Sequence, residues 1–345
     1  VFQSMSYTID IYRGQLKPLG NWCDYLFYLS FFPQLVAGPI VRARDFIPQI
    51  RRNPVVVTRE MFGTGVFLIL TGLFKKAIIS DYISLNFVDR IFDDPALYSG
   101  MECLAAVYGY ALQIYCDFSG YSDMAIGLGK MMGFEYPRNF NYPYIAKSVT
   151  EFWRRWHISL STWFREYLYI PLGGNRGGTA KTLRNILIVW LCTGFWHGAS
   201  WNFIFWGLLY AVLLLFEKYI LHPKRRHAVP MHIYTMLFVV LGFVLFDSAS
   251  IADAFVSFKS LFGLAGIPAA NTASLYYLKS NLVLLIIAAL GATPLPKRIY
   301  EKIGGTAGGS RVLAVLTPTA TVASIAVCTA YLIDGSFNPF VYFRF

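Results

Sequence analysis

Near the middle of residues 185–216, a stretch without Asp, Glu, Lys or Arg, stands a single histidine, His197. The stretch is longer than the roughly 20 apolar residues that span a bilayer as a helix. An ionisable residue at such depth is costly and is usually functional. A desolvated imidazole stays neutral and can accept a proton near pH 7. We therefore predict that His197 is a catalytic base in a transfer reaction.

The residues around His197 suit that chemistry. Trp196 and Trp201 could form rigid walls of a substrate channel, and Asn202 offers an amide that could steady a developing oxyanion. Another explanation is a structural histidine bonded to a backbone carbonyl, which we disfavour because of the cost of burying it in a membrane.

A second histidine, His157, falls within a segment that has the pattern of an amphipathic helix, residues 148–170. Ser148 and Glu151 predict a capping box at its start. At 100° per residue the charged side chains share one face, while His157 and the aromatic residues share the other. Such a helix lies along the membrane interface. His157 then faces inward. It is either a catalytic group or a structural residue that holds the helix against the core, and the pattern favours neither.

The composition identifies a membrane protein. The chain is 56% hydrophobic and only 14% charged, against about 25% charged in soluble domains. Residues 228–246 and 312–333 are each long enough to span a bilayer. The net charge of +11 comes from bases grouped between apolar runs, which indicates cytoplasmic loops and not nucleic-acid binding. The cysteines lack metal-finger spacing, and we expect no metal site.

Several apolar runs are interrupted. Residues 25–41 contain Pro33 and Gly38-Pro39, which predicts a re-entrant or unwound segment. Asp117 and Asp123 flank Gly120, and this pattern suggests a turn at a broken helix. Asp117 could line a polar channel or pair with an arginine. Lys75 and Lys76 should snorkel to the interface. We expect an all-α, polytopic bundle forming one domain, residues 1–345.

The chain resembles the membrane-bound O-acyltransferase (MBOAT) family, in the bacterial branch that contains the alginate O-acetylation membrane protein. The resemblance runs along the whole chain through several motifs in matching order. They are FPQLVAGPI at residues 32–40, DFSGYSDMA at 117–125, NFNYPY at 139–144, FWRRWHISLS at 152–161, YIPLGGNR at 169–176, FWHG at 195–198 and NPFVYFRF at 338–345.

The resemblance implies a helical fold pierced by a funnel, with His197 matching the invariant histidine and His157 a second one. It implies acetyl transfer from a cytoplasmic thioester, acetyl-CoA, with no bound cofactor. The acceptor would be hydroxyls of an exported polysaccharide such as alginate, peptidoglycan or cellulose, reached directly or through an extracytoplasmic acyltransferase partner. Arg176, Lys181 and Arg184 would guide the donor. Relatives carry spanning helices upstream of residue 4, so we expect a fragment of a bacterial inner-membrane protein.

Two other classes fit the same residues. Broken helices and a buried histidine also suit a transporter or flippase subunit in which His197 gates a path. A non-catalytic scaffold that recruits a soluble transferase is the third. Only an enzyme should consume the thioester in a His197-dependent way.

Overall fold

A computed structural model describes residues 1–35, 37–52, 55–222 and 228–333. Throughout these ranges the regular structure is helical, as the sequence predicts. The α-helices are α1 Phe2–Tyr12, α2 Trp22–Ser30, α3 Ala43–Ile50, α4 Arg59–Leu73, α5 Asp81–Ile83, α6 Asp89–Asp93, α7 Gly100–Met131, α8 Val149–Trp153, α9 Ile158–Phe164, α10 Thr179–His197, α11 Trp201–Phe216, α12 Ala228–Asp247, α13 Ile251–Leu261, α14 Thr272–Gly291, α15 Leu295–Gly304 and α16 Ala307–Ile333. One of the groups of bases, Lys224, Arg225 and Arg226, and the closing motif at 338–345 lie outside the described ranges.

Shorter helical segments link these helices. Turns of 3₁₀-helix cover Phe32–Gln34, Pro95–Leu97 and Pro143–Ile145, and π-helix covers Phe74–Ser80, Ser84–Val88, Arg165–Tyr169 and Glu217–Leu221.

Within the described residues, five helical stretches are long and apolar enough to cross a membrane: Arg59–Asp93, Trp201–Leu221, Ala228–Asp247, Thr272–Gly291 and Ala307–Ile333. Two of them contain the spans predicted at 228–246 and 312–333. A polytopic helical membrane protein is therefore confirmed.

The core is built around α7, and here one prediction is wrong. Residues 117–123 form no turn, because α7 runs unbroken from Gly100 to Met131. Gly120 serves the packing of α4 against α7. A Cβ atom there would lie 2.7 Å from the carbonyl oxygen of Gly72, closer than any side chain allows. Small residues let membrane helices approach closely, so α4 can pack against α7 backbone to backbone.

The expectation that Lys76 snorkels to the interface is also wrong. Lys76 is 3% exposed, and its Nζ lies 2.7 Å from Asp81 Oδ1 and 2.9 Å from Asp117 Oδ1. Lys75 pairs with Asp123 at 2.6 Å. A buried charge needs a partner. The carboxylates of α7 and α5 thus hold Lys76 inside the bundle, whereas the Lys75–Asp123 pair is partly exposed.

The unwound segment predicted within residues 25–41 is confirmed in the described part. After α2 the chain passes through a 3₁₀ turn and extended backbone before α3 begins. Its end supports α9, since the Ile40 N–H donates to Ser159 Oγ at 3.0 Å. Arg42 Nη1 lies 2.5 Å from Glu166 Oε2, and Arg44 contacts the same oxygen.

Residues 148–170 are not one helix, contrary to the prediction. They form α8, a break at 154–157, α9 and a π-helical turn. The capping box is half present: Ser148 Oγ accepts the Glu151 N–H at 2.9 Å. The Glu151 carboxylate instead accepts the Lys147 N–H at 2.9 Å and binds Arg155. Local patterning predicted the correct inner face but missed the break.

The charge-free stretch around His197 is a helical hairpin. Helix α10 ends at His197, residues 198–200 turn, and α11 starts at Trp201. The helices are held closely together at Gly194, where a Cβ atom would collide with the carbonyl oxygen of Phe203. His197 is therefore at the tip of a hairpin and not in the middle of one long helix.

Candidate functional site

His197 ends α10 against a wall of aromatic rings. Its ring centroid lies 4.7 Å from that of Trp196, 5.1 Å from Trp206 and 5.0 Å from Phe246. The side chain remains partly exposed. Trp196 thus lies where the sequence suggested, whereas Trp201 is 70% exposed and packs on Phe205. The walls from α11 and α12 could not be foreseen, because they depend on how these helices pack.

His157 occupies the break between α8 and α9 and is 5% exposed. Its backbone adopts the left-handed conformation, with φ of 44°, which is uncommon for a residue other than glycine and is often seen at functional sites. Its Nδ1 lies 3.1 Å from Asn139 Oδ1. The ring of Phe118 meets the imidazole edge-on at 4.7 Å. The inward direction predicted for His157 is therefore correct.

The fold brings the surroundings of these two histidines together, although the histidines are 40 positions apart in the numbering. Trp190 and Thr193 of α10, the helix that ends at His197, line a cavity together with His157. A bridge of indole rings also links their surroundings. The ring of Trp153 lies 5.6 Å from that of Trp206, which itself contacts His197.

A large cavity of about 1430 Å³ opens beside His157. Its lining includes the indole rings of Trp153 and Trp190 and also Thr193, which stands one turn before His197 on α10. Charged side chains line other parts of it, namely Lys147, Glu151, Arg154, Arg165, Glu217 and Lys218. His157 thus stands between a charged cavity and the hairpin that carries His197.

Asn202 is 1% exposed and is engaged in packing. Its Nδ2 donates to the carbonyl oxygens of Ser248, at 2.7 Å, and Leu245, at 3.4 Å. The amide thereby fastens the start of α11 to the end of α12, beside Phe246. Its oxygen has no hydrogen-bond partner among the described residues. The donating atoms are already used, so this side chain positions the wall around His197.

The remaining site residues suggested by the sequence lie elsewhere. Asp117 is 0% exposed and pairs with Lys76, a lysine where the sequence suggested an arginine. Arg176, Lys181 and Arg184 are exposed, and Arg184 donates to Asn185 Oδ1 and the Leu172 carbonyl oxygen. The cations lining the cavity flank α8 and α9, at Lys147, Arg154 and Arg165, or follow α11, at Lys218.

Asn139, Glu217 and Trp206 are the site residues that sequence reasoning did not single out. Asn139 belongs to the NFNYPY motif, whose presence was noted without a role. Glu217 closes the charge-free stretch, and its place at the start of a π-helix gave no local signal.

Comparison with known proteins agrees with this architecture. The model of MBOAT, the membrane-bound O-acyltransferase family, matches residues 19–248. A probable alginate O-acetylase from Azotobacter vinelandii is 38% identical, across 100% of this chain and 74% of the relative. A peptidoglycan O-acetyltransferase from Helicobacter pylori is 40% identical over 72% of this chain and 48% of that protein. A teichoic acid D-alanyltransferase from Bacillus subtilis is 32% identical over 71% and 66%.

The family match spans the interrupted helices, both histidines and the hairpin that carries His197. With its candidate membrane spans and bacterial relatives, the chain is a multi-pass protein of the kind found in bacterial inner membranes. It belongs to the membrane-bound O-acyltransferase family and is an acyltransferase.

Proposed function

We propose that this protein transfers an acetyl group from a cytoplasmic thioester, acetyl-CoA, toward hydroxyl groups of an exported polysaccharide. The final acceptor is reached either directly or through an extracytoplasmic acyltransferase partner. One observation carries the proposal: His157 lines a large charged cavity whose wall also includes residues of the α10–α11 hairpin that bears His197.

The cavity suits a donor of cofactor size. Ligand pockets usually measure about 300–1,000 Å³, and this one is larger. Arg154, Arg165, Lys147 and Lys218 offer cations to phosphate groups. The indole rings of Trp153 and Trp190 in the same lining suit the uncharged thioester arm. A phosphate-bearing donor therefore fits this cavity better than a neutral lipid would.

In the proposed reaction the acceptor hydroxyl attacks the thioester carbonyl carbon. His197 takes the hydroxyl proton as the new C–O bond forms, and the tetrahedral intermediate then collapses with cleavage of the C–S bond. The proton, held on the histidine pair, ends on the departing thiolate sulfur. A positioned base of this kind contributes about 10²–10⁴-fold to the rate.

The names of the relatives support the acceptor class. Alginate, peptidoglycan and teichoic acid are the polymers named for three of them, and two of the three transfer acetyl groups. We infer an exported polysaccharide as acceptor and acetyl as the acyl group. Which polysaccharide is modified would be set by the outer side of the funnel and by the partner.

The test compares cells that express the full-length protein or its His197→Ala variant at matched membrane levels. Acetate released by mild base from the exported polysaccharide is measured, together with thiol release from acetyl-CoA in isolated membranes. We expect both to fall by at least about 10²-fold in the variant. If the wild-type protein moves polymer across the membrane without releasing thiol from acetyl-CoA, it is a transporter. Full activity of the variant would indicate a scaffold and overturn the proposal.

A further inference from the structure

Asn139 lies at the centre of a buried hydrogen-bond network around the second histidine. It is 1% exposed, and its Oδ1 lies 3.1 Å from His157 Nδ1. The same oxygen accepts the Ser159 N–H at 3.2 Å and the Ser159 hydroxyl at 2.9 Å. On the other side, Asn139 Nδ2 donates to Ser122 Oγ at 3.2 Å. The amide can hardly turn over, because its NH₂ group would then face the Ser159 N–H.

This arrangement sets the tautomer of His157. A neutral imidazole carries one N–H, and the nitrogen that meets an acceptor oxygen must carry it. Nδ1 is therefore the donor to Asn139, and Nε2 keeps its lone pair. Among the described residues Asn139 is the hydrogen-bond partner of this ring. Nε2 is thus the atom left to act on a molecule in the adjoining cavity.

The same residue holds the unusual backbone at His157. This histidine precedes α9 in the left-handed conformation and supplies no side-chain cap. Asn139 caps the helix in its place, because its backbone oxygen accepts the Ile158 N–H at 2.9 Å and its Oδ1 accepts the Ser159 N–H. The first backbone N–H groups of a helix have no acceptor within the helix and need one from elsewhere. The contacts that cap α9 also orient the imidazole.

We propose that Asn139 is a positioning residue of the acyl-transfer site, which holds His157 so that Nε2 is the proton-accepting atom toward the donor cavity. The proposal rests on the proposed function, in which His157 and His197 share the transferred proton. It adds a residue that acts through His157 without touching the substrate.

The experiment is a double-mutant cycle in the full-length protein, using membranes and acetyl-CoA thiol release. Asn139→Leu should lower kcat by about 10²-fold, the lower range for a positioned acid–base group, with the KM for acetyl-CoA little changed. His157→Gln should lower it at least as much. If Asn139 acts through His157, the double variant should be no slower than His157→Gln, because coupled groups are non-additive.

Asn139→Asp retains the helix cap and changes the charge beside His157. A carboxylate keeps the acceptor for His157 and Ser159 and adds a negative charge, which favours the imidazolium. We expect activity within about tenfold of wild type and an acid limb of the kcat–pH profile moved to higher pH. Ser159→Ala is the matched control, since it removes a network hydroxyl but leaves the Asn139–His157 bond. Its pH profile should match the wild type.

If the losses in kcat add in the double-mutant cycle, or if the kcat–pH profile of Asn139→Asp matches the wild type, then Asn139 has only a structural role. If Asn139→Leu fails to reach the membrane, the Asp variant alone decides. Full activity of His157→Gln would instead remove His157 from the proposed function. An inactive His157→Gln with a fully active Asn139→Leu would overturn only the role of Asn139.

Discussion

The carboxylate of Glu217 accepts both the backbone N–H and the hydroxyl of Thr150, at 2.8 and 2.6 Å. Its other oxygen accepts the Val149 N–H at 2.5 Å. A residue that follows α11 thus caps the start of α8, the helix that ends at Trp153. Both glutamate oxygens are used, and the side chain is 1% exposed. The cavity wall is therefore tied to the hairpin that carries His197.

Glu217→Gln should destabilise the protein. The amide keeps one acceptor oxygen but turns an NH₂ group toward a backbone donor, at a typical cost of about 1–3 kcal/mol for an unsatisfied buried group. We expect a lower Tm in detergent and reduced thiol release, because Trp153 and the cavity wall shift. Glu301→Gln is the control, since that side chain is 61% exposed. Equal Tm values for the two variants would contradict the capping role.

Variants of Arg154 and Arg176 test whether the donor binds at the cavity or at the basic loop. Arg154 lines the cavity, whereas Arg176 belongs to the basic loop that the sequence suggested. Losing a charge-assisted hydrogen bond to phosphate typically costs about 1.5–3 kcal/mol. We expect Arg154→Gln to raise the KM for acetyl-CoA about tenfold with kcat nearly unchanged, and Arg176→Gln to change little. The reverse order would move donor access to the 173–184 loop.

Lys76 and Lys75 form a matched pair for testing buried charge. The side chain of Lys76 is 4% exposed and those of its partners 6% and 1%, whereas Lys75 and Asp123 are 21% and 25% exposed. Removing one partner of a buried ion pair costs about 3–5 kcal/mol. Lys76→Met should therefore lower Tm much more than Lys75→Met. Comparable losses would mean that the α7 carboxylates are better solvated than this packing implies.

Glu166 should make stability depend on pH. Burial opposes ionisation, but the hydrogen bond and charge of Arg42, with the charge of Arg44, hold the pKa of Glu166 below its ordinary value of 4.5. A carboxyl with a depressed folded pKa stabilises the protein above its ordinary pKa, and this contribution disappears as pH falls through the folded value.

The Tm difference between wild type and Glu166→Gln should consequently be constant from pH 7 down to the ordinary pKa. Below it the two melting curves should converge. The stabilisation should be modest, about 1 kcal/mol, because these ion pairs are partly exposed. A Tm difference that persists at low pH would show that the carboxylate charge contributes little.

The sequence by itself determined the class of this protein. Long charge-free runs can only be buried in lipid or core, and backbone polar groups in lipid must be satisfied within helices. Motif order identified the family, and the cost of burying an imidazole in the membrane marked His197. His157 was placed on the correct face by helical periodicity alone.

Only the tertiary structure decided which side chains meet. The helix breaks at His157 because of a residue outside the segment: Asn139 caps α9 from a separate part of the chain. Lys76 stays inside because carboxylates on α5 and α7 reach it, and the wall around His197 comes from α11 and α12. Periodicity reports which face of a helix is buried. Periodicity does not report which other element packs on that face, because long-range packing determines the partner.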